Sequence, residues 1–546
     1  MKAEALRDTD RKILDLKVLG QRIRAIQQGG RTVALCHGVF DLLHVGHLRY
    51  FRGASRKADV VVVTATPDRF VDKGPNRPAF PENLRLEALA ALEVVDFVSL
   101  NRWPTAEETL RLLRPDFYVK GGEFRTPGDD PTGKMELERQ AAQEVGCRVE
   151  FIDDLVFSSS ELLNRHFEIY PPLVSEYLAG LREAHPLGQV LSLVDRIAEL
   201  RVLVVGDAII HRYIYVETLG RASKTPSLTT RNLSEARWAG GAVAVANQVA
   251  ALGCPVELLS LVGNDGEGAF LEQCLAPAAG AHLVERPTSP TVTHARFVDA
   301  NSGNHLYSVT NQEEVLPASE VEDELLRQAE ALTAPEMTGE GQAEDREARF
   351  DLVICADYGY GAIPPRLLKA LHALPHFIAI RTQAHSNGRG YPMVSRYDRA
   401  DFACLTEREI RLEAGAPEGE LQPLVARLAA RLGSSLIAVT RDRAGCLMAA
   451  RDGAFHEAPW LSSKAIDEDG AEEALFALAS LAAAVGASPA LASLLASTAQ
   501  AHTQNLPQDG TQHQPQHQLR HQRSASSRKR PLDGMNLRKQ LTAMLK

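Results

Sequence analysis

Short apolar runs separated by helix-length segments constrain this chain more than any other feature. The runs Thr32–Cys36, Asp59–Thr64, Val94–Leu100, Phe117–Lys120 and Arg148–Ile152 alternate with helical patterns near 47–57, 82–92, 105–114 and 134–146. Strands spaced this way predict a parallel sheet covered on both faces, and so an α/β domain. An amphipathic helix precedes them over 11–28, with Ile13, Leu16, Leu19, Ile23 and Ile26 at helical spacing and Gly29-Gly30 as its stop. This first domain is expected over 11–167, enough chain to bury a full core. A helical connector is expected over 168–199. A second α/β domain opens with RVLVVGD at Arg201, covers 200–500 and is interrupted by a polar, acidic loop from Pro335 to Arg349. The Ala-rich stretch from Ala474 to about Ala487 is too short to span a bilayer and reads as a buried helix.

The remaining 501–546 is a basic tail rich in Gln and His. It lacks apolar periodicity and is expected to be disordered, with Met535–Lys546 at most a short solvated helix. Charge is unevenly spread. The last 46 residues hold eight Lys/Arg and two Asp, a net +6, against −10 for the whole chain, so residues 1–500 carry about −16. A broad cationic surface for specific nucleic-acid binding is therefore not expected; the tail reads as a solvated appendage, with a site for an anionic partner as the alternative. The seven cysteines are scattered, without CxxC or Cys/His ligand spacing, so neither a disulfide framework nor a protein-held metal is expected. The start MKAEALRDTDRKILD has no apolar signal core, and a cytoplasmic, membrane-free location is expected.

The densest chemistry is His37-Gly38-Val39-Phe40-Asp41-Leu42-Leu43-His44-Val45-Gly46-His47, between a buried strand and a helix. Gly38 permits a tight backbone turn. Gly46 lets a phosphate approach the helix start, where amide N–H groups and the helix dipole favour an anion. His44 and His47, three apart, share one pocket and suit charge stabilisation on a phosphate in flight. Asp41 either orients a histidine or is a buried structural carboxylate. Lys120-Gly121-Gly122 either borders a ligand or forms a simple turn.

With GxFDLLHxGH the chain resembles the cytidylyltransferase-like nucleotidyltransferases. The ordered motifs KGPNRP (73–78), LRLEALAALEVVDFV (84–98), RPDFYVKGGEF (114–124) and FSSSELL (157–163) are similar to the adenylyltransferase domain of the bifunctional heptose-phosphate kinase/heptose-1-phosphate adenylyltransferases. That resemblance implies a Rossmann-like domain in which a sugar 1-phosphate attacks the α-phosphorus of an NTP, releasing pyrophosphate. His44, His47 and Lys73 would be catalytic. Gly38, Phe40, Asp41, Gly46, Arg85, Lys120, Gly121 and Ser158, Ser159 and Ser160 would bind the nucleotide, Arg77 being a weaker anion candidate. The three serines also suit a helix cap. Mg²⁺ is expected with the triphosphate. ATP is the expected substrate. CTP, with glycerol phosphate or a similar alditol phosphate as acceptor, is the alternative, disfavoured because DDLVFSSS lacks the Arg of the RTxGISTT-like end.

From Arg201 the chain resembles the ribokinase-like (PfkB) sugar kinases, through RVLVVGDAIIHRYIY, GRASKTPS, Gly240-Gly241, LVGNDGEG, PTSPTVTHARF, ADYGYGAI and AVTRDRAGCLM. The resemblance implies a kinase site at Asp207, His211, Gly240, Gly241, Asp467, Gly470, Glu472 and Glu473, in altered form. The closing DTxGAGD signature reads Asp467-Glu468-Asp469-Gly470-Ala471-Glu472-Glu473. A carboxylate about 4 Å from a phosphate repels it by roughly 4 kcal/mol at an effective dielectric near 20. Displacing a base by about 1 Å costs on the order of 100-fold in rate. Elsewhere His211 stands for a sugar-binding Asp, Ala244 for an Asn, Arg381-Thr382-Gln383 for Asp-Pro-Lys and Thr406 for the Asn of Asn-x-x-Glu409. The expectation is a nucleotidyltransferase with a pseudokinase domain, assembled as a homo-oligomer. A true bifunctional sugar-phosphate kinase/adenylyltransferase is the alternative.

Overall fold

The computed structural model describes residues 9, 11–71, 77–122, 125, 134–152, 170–311, 316–334, 336–337, 346–347, 349–383, 394–462, 470–505 and 531–545. It forms two units, Met1–Leu187 with Met535–Lys546, and Gly188–Gly534. The expected connector is therefore divided. Its helix Pro172–Ala184 belongs to the first unit and its helix Leu187–Ala198 lies almost wholly in the second.

In the first unit, β1 (Val33–Gly38), β2 (Val60–Ala65), β3 (Phe97–Leu100), β4 (Phe117–Gly121) and β5 (Arg148–Ile152) form one parallel sheet in the order β3-β2-β1-β4-β5. Alternation along each strand feeds both faces. Val33, Leu35, Val60 and Val62 pack with Leu16, Leu19 and Ile23 of the Leu16–Gln28 helix and with Leu110 and Leu113. Ala34, Cys36, Val61 and Val63 pack on the other face with Phe51, Ala54, Leu86 and Leu89. Strand order reverses between β1 and β4, and a ligand crevice is expected beyond the carboxyl ends of such strands.

The second unit has a nine-stranded sheet. It comprises β6 (Val202–Gly206), β9 (Val256–Gly263), β10 (Ala279–Arg286), β15 (Leu352–Asp357), β16 (Phe377–Thr382), β17 (Phe402–Thr406), β18 (Leu436–Thr440), β19 (Cys446–Ala450) and β20 (Phe455–Ala458). Their order is β10-β9-β6-β15-β16-β17-β18-β19-β20, parallel except at the last two pairings. A four-stranded sheet, β12-β11-β7-β8, joins β7 (Ala208–Arg221), β8 (Leu228–Gly241), β11 (Thr293–Asp299) and β12 (His305–Thr310). The acidic stretch expected as loop contains a short antiparallel pair, β13 (Glu336–Met337) and β14 (Arg346–Glu347).

The buried Ala-rich helix is present as Ala471–Ala484, and among the described residues no helix is long and apolar enough to cross a membrane. The expected disordered, solvated tail needs correction at its end. Gly534–Leu545 is a helix with Leu537, Leu541 and Met544 fully buried, and the Met544 carbonyl accepts from Arg182. Apolar residues four apart suffice to bury one face even in a basic segment.

Candidate functional site

In the first unit β1 ends at Gly38 and the chain enters the Val45–Ser55 helix through His44. His44 is the N-cap: its Nδ1 accepts from Gly46 N at 3.1 Å, while His47 Nδ1 accepts from His44 N at 3.4 Å. With both Nδ1 lone pairs used this way, Nε2 carries the ring proton in each. The ring centroids lie 4.0 Å apart. The expectation of an open amide at Gly46 needs correction, because the His44 ring already takes that N–H. The donors at this helix start are imidazole N–H groups.

Phe40 fixes His47. It adopts φ +51°, and its ring packs edge-on to the His47 ring at 5.4 Å. It also lies over Gly38, where a Cβ would stand 3.0 Å from Phe40 Cζ. Gly38 is therefore required by a close side-chain approach.

Four expected ligand-binding residues, Asp41, Arg77, Arg85 and Lys120, have partners within the chain. Asp41 is a buried structural carboxylate: it pairs with Arg77 at 3.1 Å and accepts from Ala79 N and Phe80 N at 3.0 Å. Arg77 donates to Asp41 through Nη1. Arg85, 2% exposed, donates to the carbonyls of Phe80, Val39 and Thr66 and to Asp68, tying the two ends of the site loop together. Lys120, beside Gly121 at the carboxyl end of β4, pairs with Glu138 at 2.8 Å. Glu138 also accepts from Tyr118 Oη and Ala106 N. Burial alone would raise the Glu138 carboxyl, but the Lys120 and His37 charges and these hydrogen bonds hold it down at about 2. Sequence reading missed Glu138, although the signal was there: it sits on the inward stripe Met135, Glu138, Ala141, Ala142 of its helix. Lys73, Ser158, Ser159, Ser160 and Asp467 lie outside the described residues.

In the second unit β6 and β15 flank the reversal of strand order. Asp207, just past β6, is 2% exposed and accepts from the N–H groups of Tyr358, Tyr360 and Ala362. It organises the turn after β15, and burial pushes its carboxyl up against those donors. Asp357 ends β15 and pairs with Arg396 and Tyr397 Oη at 2.9 Å; burial pushes it up to about 6 despite Arg396. The glycine pair is demanded by the chain itself. A Cβ on Gly240 would stand 2.2 Å from His211 Nε2, and one on Gly241, at φ +57°, 2.3 Å from the Asp207 carbonyl. His211 Nδ1 contacts Arg296 at 3.1 Å, and its ring meets the His294 ring edge-on.

Gly470, at φ +84°, caps the Ala471–Ala484 helix. Glu472 in its first turn pairs with Arg381, whose side chain is 2% exposed, and Glu473 is buried beside it. Glu409 is used locally: its carboxylate accepts from Thr406 N while Thr406 Oγ1 accepts from Glu409 N, a capping box.

The comparisons with known proteins fall on these two regions. Residues 35–164 match the cytidylyltransferase-like family and residues 199–499 the pfkB family of carbohydrate kinases. The chain is similar to the bifunctional protein HldE of Trichlorobacter lovleyi, 36% identical over 148 residues, covering 27% of this chain and 29% of that protein. It is likewise similar to HldE of Campylobacter fetus subsp. fetus, 33% identical over 158 residues, covering 29% and 31%. The chain thus covers less than a third of these curated relatives' own length. Among solved structures, Arabidopsis thaliana ribokinase complexed with ribose and ATP is 16% identical with a TM-score of 0.43, covering 64% of this chain and 99% of that one. Escherichia coli phosphofructokinase-2 in complex with potassium is 12% identical with a TM-score of 0.47, covering 64% and 100%.

Proposed function

The chain belongs to the pfkB family of carbohydrate kinases, with a cytidylyltransferase-like domain ahead of the family region, and we propose that its chemistry resides in that first domain. The reaction is transfer of a nucleotidyl group, AMP from ATP, to a sugar 1-phosphate of the heptose type. The observation that carries this reading is the His44/His47 pair at a helix start beyond the carboxyl end of β1, beside the reversal of strand order.

A sugar phosphate oxygen attacks the α-phosphorus in line, and the bond to the pyrophosphate oxygen breaks. No covalent enzyme intermediate is needed, so catalysis is positioning and charge neutralisation. His44 and His47 donate through Nε2 to phosphate oxygens as charge builds on them. Lys73 meets the transferring phosphate or the pyrophosphate, and Ser158, Ser159 and Ser160 hold the triphosphate. Mg²⁺ bound to the triphosphate's oxygens would supply further charge neutralisation.

The second domain is a pseudokinase in this reading. Support comes from the Arg381–Glu472 ion pair, which puts a carboxylate in the first turn of the helix that would receive a phosphate.

The test is pyrophosphate release with ATP, CTP, GTP and UTP against heptose, hexose and glycerol phosphates, alongside phosphorylation of a heptose phosphate. The expected result is ATP-dependent release with a sugar 1-phosphate and no phosphorylation. Ordinary kinase turnover in the wild type overturns the pseudokinase assignment. Release with CTP and glycerol phosphate alone overturns the adenylyl assignment.

A further inference from the structure

The second unit holds a buried cation that the proposed reaction does not use. Arg286 ends β10, is 5% exposed, and its Nη2 donates to the Tyr360 carbonyl at 2.6 Å. Among the described residues its Nε and Nη1 meet no hydrogen-bond partner. A guanidinium does not lose its proton in a protein, and a buried charged donor without an acceptor is costly. Arg286 lines a cavity of about 220 Å³, counted with its open mouth, whose other walls include Asp207, Val262, Pro290, Thr291 and Tyr360.

The walls are held independently of any ligand. Asp265 accepts from Thr291 N and Thr291 Oγ1, both at 2.8 Å, and Gly263 N donates to Thr291 Oγ1 at 2.9 Å. A Cβ on Gly263 would stand 2.2 Å from Thr291 N, so strand and loop are in direct backbone contact. The nearby carboxylate does not take up the cation. Asp207 spends its oxygens on three backbone N–H groups and acts on Arg286 only through space.

The cavity is small and open on one side, and its one unpaired charge suits an ion or the anionic end of a small molecule. Nε and Nη1 lie on different edges of the guanidinium, so an oxyanion would take one of them and a water hydrating it the other.

We propose that this cavity is an oxyanion site, binding phosphate or the phosphate end of a small phosphomonoester through Arg286. Its lining includes no residue of the Ala471–Ala484 helix, and it requires no phosphotransfer by the second domain.

The full-length protein is titrated with inorganic phosphate at constant ionic strength while thermal unfolding is followed. A saturable rise in Tm is expected in the wild type, abolished in Arg286→Gln and partly kept in Arg286→Lys. An unchanged rise in Arg286→Gln overturns the proposal, as does no rise in the wild type at tens of millimolar phosphate. Because Arg286→Gln removes a buried group, tungstate soaked into wild-type crystals supplies an independent readout. A peak within hydrogen-bond distance of Arg286 supports the site, and peaks only elsewhere overturn it. A parallel arm with glucose 6-phosphate distinguishes an ester from the free ion: a larger shift than with phosphate marks the ester, a smaller one the ion.

Discussion

Two helices in this chain start where a phosphate would be received, and they start in opposite ways. The Val45–Ser55 helix opens on His44 and His47, whose Nδ1 atoms accept backbone N–H groups and whose Nε2 atoms carry the donors. The Ala471–Ala484 helix opens on Glu472 and Glu473, with Glu472 joined to Arg381. Both helix dipoles favour negative charge at this end. The first helix carries no carboxylate in its first turn, while the second satisfies that preference internally with its own carboxylate. Secondary structure alone therefore does not make an anion site; the side chains of the first turn decide whether the charge comes from outside or from the chain.

Removing the donors at the first helix start has the largest expected effect. His44→Ala combined with His47→Ala is expected to lower the rate of pyrophosphate release by about 10³–10⁴, the range for lost transition-state donors and acid–base groups. Circular dichroism should show the fold retained, because the helix loses a cap worth about 1 kcal/mol, not its packing. Release at the wild-type rate would move catalysis away from this helix and erase the contrast.

At the second helix the expected effect is on stability. Glu472→Gly leaves a fully buried Arg381 without its partner and should destabilise the second unit by about 3 kcal/mol in urea unfolding. The double variant Arg381→Met/Glu472→Leu removes both charges and should lie within about 1 kcal/mol of the wild type. A double-mutant cycle with no coupling would show that Glu472 is not held by Arg381.

The same contrast explains what the sequence could and could not reveal. Strands were legible because β1, β2, β4 and β5 are apolar runs, and the structure finds them within two residues of the expected bounds. Val94–Leu100 begins three residues early, since the strand starts only at Phe97 and Asp96 instead accepts a hydrogen bond from Val61 N. His44 and His47 were legible because their relation is local, set by helical spacing. The fates of Asp41, Arg85 and Lys120 were not, because each depends on a partner far along the chain: Phe80 N for Asp41, Thr66 O for Arg85, Glu138 for Lys120. A charged residue beside a motif looks the same in sequence whether it faces a ligand or a buried partner. In the second unit, Glu472 could be read in the sequence as standing where the resemblance implies a glycine. Its pairing with Arg381, 91 residues away, could not.

Buried charge also gives the first unit a pH signature. Glu138 is held at about 2, well below its ordinary 4.5. A carboxylate with a lowered folded pKa stabilises fully above its unfolded value and loses that contribution as pH falls through the folded value. Stability of the first unit should thus decline between pH about 4.5 and about 2, by at most about 3 kcal/mol from this group. Glu138→Gln should flatten that part of the profile while lowering stability at pH 7, since it strands Lys120. An equally steep acid limb in the variant would assign the loss to other carboxylates. The Arg381→Met/Glu472→Leu variant should leave this limb unchanged, which separates the two units' acid behaviour.

The smallest expected effect tests how finely the first helix start is tuned. Phe40 sits at φ +51°, a conformation that costs a bulky residue about 1 kcal/mol or more and persists only where packing enforces it. Its ring rests on Gly38 and meets the His47 ring. Gly38→Ala places a Cβ 3.0 Å from Phe40 Cζ, closer than ordinary contact, so the ring must shift by a few tenths of an ångström and carry His47 with it. Because only the donor geometry changes, kcat should fall about 10-fold with KM nearly unchanged. A fall confined to KM would mean that Gly38 serves ground-state nucleotide binding, and that His47 is positioned by the helix alone. Phe40→Ala removes the ring that the new methyl would displace, so adding Gly38→Ala to it should cost little further activity. If the two losses add instead, Gly38 acts directly on the nucleotide, and the first helix start depends on backbone approach as well as on its histidines.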